Sequence, residues 1–86
     1  MKRRKLIARL ASGAVRNVGF DDFTGLVRAF GFVLARESGS HHIYTRPDIQ
    51  QLVNLQDVNG QAKPYQVRQF LRLVEKYNLT MEDERE

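Results

Sequence analysis

A chain of 86 residues with 42% apolar and 28% charged side chains has room for one small core, which excludes two domains and wholesale disorder. It contains no cysteine, which excludes a disulfide scaffold and thiol chemistry and fits a reducing cytoplasm. The formal charge is +4, but Glu82, Asp83, Glu84 and Glu86 against Arg85 put the last five residues at −3, so residues 1–81 carry +7. That balance suits a polyanionic partner, nucleic acid being the commonest, and equally suits solubility alone.

No apolar run approaches the roughly 20 residues needed to span a bilayer. Arg9 interrupts the apolar stretch that a signal peptide would need after Met1-Lys2-Arg3-Arg4-Lys5. A soluble cytoplasmic protein without membrane association is expected. Lys2 to Ser12 reads as a short helix, with Leu6, Ile7, Leu10 and Ala11 on one side and cations over the remainder, and Ser12-Gly13 ends it. Such a helix either reaches for phosphates or covers an edge of the core while its charges stay solvated. Gly13 to Phe20 has no clear period and reads as a linker with an extended piece around Val15 to Val18.

Asp21 suits an N-cap, Asp22 suits the positive end of a helix, and Phe23, Leu26, Val27 and Phe30 follow at helical spacing. Gly31 stands where a left-handed residue closes the helix and leads into a strand, Phe32 to Arg36. Glu37-Ser38-Gly39 reads as a turn and Ser40 to about Arg46 as a second strand. Pro47-Asp48 reads as a second turn and Gln50 to Leu55 as a third strand. Asp57 to Lys63 reads as a loop. Pro64 opens a last helix with the stripe Val67, Phe70, Leu71 and Val74, and Asn78 can close it.

Turns this short join antiparallel neighbours, so the strands form a meander. The expected architecture is α+β, in the order α-β-β-β-α, with two helices on one face of a three-stranded antiparallel sheet and an extra basic helix in front. The organisation is then a basic helix and linker (1–20), a central domain (21–79) and an acidic tail (80–86) expected to be disordered.

Both histidines of the chain lie on the second strand. With period two, Ser40, His42, Tyr44 and Arg46 share one face, and His41, Ile43 and Thr45 the other. Ile43 is the one aliphatic side chain in the run, which marks its face for the core and leaves His42 toward solvent beside a hydroxyl, a phenol and a guanidinium. An imidazole of ordinary pKa, about 6.5, can move a proton near neutral pH, and RNA brings its own nucleophile in the ribose 2′-OH, so a ribonuclease needs no metal. Ser40, Tyr44 and Arg46 would stabilise charge on the phosphoryl oxygens. A lone surface histidine is also a common polar residue, His41 reads as a buried histidine bonded to backbone, and a slip of one residue would exchange the two. Lys63, Tyr65 and Arg68 surround the start of the last helix, where a phosphate is favoured, although they also suit a plain solvated helix start. Tyr65 can stack on a base or pack on the sheet rim. No metal-ligand pattern, phosphate-binding glycine loop or Ser-His-Asp set is present, and no cofactor is expected.

Gly39-Ser40-His41-His42-Ile43-Tyr44, set between a first helix and a late Lys63-Pro64 helix that ends at Asn78-Leu79, resembles the HicA toxins of bacterial toxin–antitoxin pairs. The resemblance spans about Asp21 to Leu79, leaving the first 20 residues and the acidic tail outside it. It implies a fold like a double-stranded-RNA-binding domain and a metal-independent mRNA interferase activity. It also implies a catalytic histidine on the second strand, falling on His42 if the pattern is Gly-Ser-x-His, with His41 as the second candidate. The implied partners are mRNA and a HicB-like antitoxin that covers the active face. The reading is an endoribonuclease toxin with Lys63, Arg68 and Arg46 holding phosphates. Its alternatives are a noncatalytic RNA-binding module on the same surface and a protein-binding domain.

Overall fold

The computed structural model describes residues 2–81, so the acidic run expected to form a tail lies, from Glu82 on, outside the described residues. The elements follow as α1 (Arg3–Ala11), α2 (Phe20–Ala29), β1 (Val33–Ser38), β2 (His41–Arg46), β3 (Ile49–Val58), β4 (Gln61–Ala62) and α3 (Pro64–Lys76). The strands form one antiparallel sheet in the order β1-β2-β3-β4. The α-β-β-β-α order expected for a double-stranded-RNA-binding-domain-like fold is present, with the extra helix in front and one strand more than expected.

That fourth strand replaces the loop expected after Asp57. Asn59 and Gly60 both take positive φ, 54° and 81°, the backbone of a two-residue type I′ turn, and the Gly60 N–H donates to Asp57 Oδ1 at 2.8 Å. The linker completes this edge. The Phe20 N–H donates to the Gly60 carbonyl at 2.8 Å, and the Ala62 N–H to the Val18 carbonyl at 2.9 Å. The same pairing corrects the start of α2, where Asp21 was expected as N-cap. Gly19, bridged to Gln61, is the N-cap instead, and Asp21 and Asp22 fall in the first turn, where their charge meets the positive end of the helix dipole.

The helix ends are as the sequence predicts. Gly31 follows α2 with φ 90°. Asn78 follows α3 with φ 51°, while the N–H groups of Asn78 and Leu79 return to the carbonyls of Glu75 and Val74, which satisfies the last turn.

Phe70 of α3 stands at the centre of the core. The rings of Phe23, Phe30 and Phe32 meet it at 5.6, 5.6 and 5.7 Å, all near edge-to-face. Each such pair contributes about 0.5–1.5 kcal/mol beyond the area it buries. Leu6 and Leu10 of α1, each 1% exposed, belong to the same core, which also takes in buried Val15 and Val18. The basic helix is therefore a structural part of the domain, with its apolar side buried and its cations outside.

The second strand corrects the expectation about its faces. Tyr44 is 1% exposed and lies opposite Val53, while His42 lies opposite Leu55, so His42 and Tyr44 point to the side that the helices cover. Ile43, opposite Asn54, is on the uncovered side with His41. The reason is the partner strand. Ile49, Val53 and Leu55 all bury on the helix side, and an aromatic ring placed among them removes more apolar surface from water than Ile43 would.

Candidate functional site on the uncovered sheet face

The hairpin from β1 to β2 turns on Gly39-Ser40. Ser38 pairs with His41 and Gly39 takes φ 60°, as the first position of a two-residue loop requires. Ser40 is thus in the turn, not on the strand. Its carbonyl accepts the Asp57 N–H at 3.0 Å and the Nδ1–H of His42 at 3.1 Å.

The two histidines occupy different surroundings. The His42 ring is 4.9 Å from the Phe20 ring, its Nε2 is 3.6 Å from Glu37 Oε2, and its side chain is 17% exposed. Both of its nitrogens face protein oxygens. His41 is exposed on the uncovered face, and no hydrogen bond or ion pair joins its side chain to another described residue.

Around His41 the sheet assembles polar groups from three strands. Ser38 stands opposite on β1 and Gln56 on β3. One rung further, Ile43 is flanked by exposed Arg36 and Asn54. Buried Gln66, in the first turn of α3, accepts the Gln56 N–H on Oε1 at 2.8 Å. That bond ties the start of α3 to the His41 rung. Lys63 and Tyr65 therefore lie at the same end of the domain, with the Lys63 Nζ 5.8 Å from the centre of the half-exposed Tyr65 ring.

The remaining expected residues serve elsewhere. Tyr44 is core, with the Arg28 guanidinium 5.6 Å from its ring centre. Arg46 donates to the Phe30 carbonyl at 2.8 Å, satisfying the end of α2, and its Nε lies 2.8 Å from Asp48. Arg68 lines a groove with Leu10, Val15 and Arg72 on the helical side, apart from the histidines. The sequence reading missed Arg36, Ser38 and Gln56. Only the cross-strand register identifies them, and that register depends on an irregularity in β1 between Leu34 and Arg36. Among the described residues no three His, Cys, Asp or Glu side chains cluster as metal ligands, and no helix is long and apolar enough to cross a membrane.

Fold and site together define a small basic α+β domain with helices on one side of its sheet and a histidine-bearing polar face on the other. The family model described as HicA toxin of bacterial toxin–antitoxin matches residues 20–75, about two thirds of the chain. The protein belongs to the HicA family of toxins, and membership implies an antitoxin partner. Neither a search of curated proteins nor one of solved structures found a match.

Proposed function

We propose that this toxin is a metal-independent endoribonuclease that cleaves mRNA in the cytoplasm and so arrests translation and growth. The observation that carries this reading is the exposed imidazole of His41, unengaged among the described residues, beside hydroxyl, amide and guanidinium donors on the sheet face that no described helix covers. The geometry favours His41 as the proton carrier over His42, because a base must reach the 2′-OH and the His42 ring is packed on Phe20 between two protein oxygens. His42 instead steadies the hairpin that presents its neighbour.

In the proposed reaction His41 takes the 2′-OH proton, the 2′-oxygen forms a bond to phosphorus, and the bond from phosphorus to the 5′-oxygen breaks. The 5′-oxygen leaves with a proton from water. The products are a 2′,3′-cyclic phosphate and a 5′-hydroxyl. Ser38, Gln56 and Lys63 supply donors and positive charge around the phosphoryl oxygens. The partner that fits this reading is a HicB-like antitoxin that covers the uncovered face and blocks RNA from His41.

The test is to incubate purified protein, free of partner and in excess EDTA, with a defined single-stranded RNA and to analyse the ends formed. Cyclic phosphate and 5′-hydroxyl ends are expected. Tight binding without cleavage would overturn this reading in favour of a noncatalytic RNA-binding module.

A further inference from the structure

Residue 35 changes what β1 presents to RNA. Leu34 pairs with Tyr44 and Arg36 with Ile43, so Ala35 is an extra residue on β1 that has no opposite number on β2. In an unbroken ladder Ala35 would stand opposite Ile43, Arg36 opposite His42 and Glu37 opposite His41. Arg36 would then point to the helix side, and a carboxylate would stand next to the proposed base on the face where RNA must lie. The bulge reverses both placements. Glu37 goes to the covered side, where it meets His42, and Arg36 goes to the uncovered side, one rung from His41. Bulges that re-aim a side chain are frequent beside active sites.

Arg36 is exposed and has no ion-pair partner among the described residues. Arg9 and Arg46, by contrast, are spent on backbone carbonyls. A guanidinium diagonal to His41 across two strands stands about 7 Å from it at the backbone, roughly the separation of neighbouring phosphates along a strand. Its planar fork matches a phosphate in two hydrogen bonds.

We propose that Arg36 seats an RNA phosphate adjacent to the one at His41, and that the Ala35 bulge exists to present it there. The inference rests on the proposed ribonuclease function and names a binding residue that fixes the RNA in register with the base.

The experiment measures binding of a single-stranded 2′-O-methyl oligoribonucleotide, whose nucleophile is blocked, over a range of salt concentrations, for wild type, Arg36→Gln and Arg36→Lys. Arg36 is exposed on an edge strand, so neither substitution threatens the fold, and thermal unfolding checks that. Losing one phosphate contact should weaken binding about fivefold at low salt and lower the slope of log affinity against log salt by about 0.7, with Arg36→Lys recovering most of both. Unchanged affinity and slope in Arg36→Gln would overturn the phosphate seat, leaving Arg36 to a protein partner. Cleavage of unmodified RNA by the wild type is scored separately. Binding that depends on Arg36 in a protein that does not cleave would overturn the nuclease and leave the seat standing.

Discussion

Glu37 and His42 face each other across β1 and β2 on the covered side of the sheet, with Oε2 3.6 Å from Nε2, while His41 stands opposite Ser38 on the uncovered side. Neighbours in sequence are thus separated by the sheet itself. One imidazole packs and the other is available.

His42→Ala removes the ring contact with Phe20 and the hydrogen bond to the Ser40 carbonyl. The expected outcome is a loss of about 1–2 kcal/mol of stability, read as a lower urea midpoint at constant slope, with cleavage by the folded fraction retained. Glu37→Gln should cost about 1 kcal/mol at most, since its carboxylate is largely exposed.

Tyr44 distinguishes a core residue from an RNA contact. Tyr44→Ala should destabilise the protein by about 3–5 kcal/mol in urea unfolding, because a buried aromatic among Val53, Leu55 and Ile49 leaves a cavity. A variant of wild-type stability with weakened RNA binding would contradict its burial.

The N-terminal helix is tested at Leu6. Leu6→Ala should cost about 2–4 kcal/mol, measured in the same way, because Leu6 shares the core with Leu10 and Val18. A detachable electrostatic arm would show almost no change.

Much of the architecture was legible because its determinants are local. The stripes Phe23-Leu26-Val27-Phe30 and Val67-Phe70-Leu71-Val74 carry helical spacing, and Gly31, Pro64 and Asn78 have backbone preferences that mark helix ends. Asn59-Gly60 reads as part of a loop and the hairpin it makes was missed, although both positions of a type I′ turn need the positive φ that asparagine and glycine tolerate. The faces of β2 were not legible from β2 alone. Tyr44 turns inward because Val53 and Leu55 are its partners across the ladder, a relation set by the register of two other segments. The placement of Arg36 depends on one unpaired alanine, and nothing in the local pattern Val33-Leu34-Ala35-Arg36 marks it. Site residues that meet through pairing become visible only when the sheet is assembled.

In the proposed reaction the proton carrier is the exposed histidine, His41. The direct measurement is cleavage of one defined single-stranded RNA in EDTA by wild type, His41→Ala and His42→Ala, with binding of the 2′-O-methyl strand measured alongside. His41→Ala is expected to bind as the wild type does, keep its stability and lose cleavage by about 100-fold or more, while His42→Ala still cuts. A folded His42→Ala that binds and no longer cleaves, beside an active His41→Ala, would contradict it.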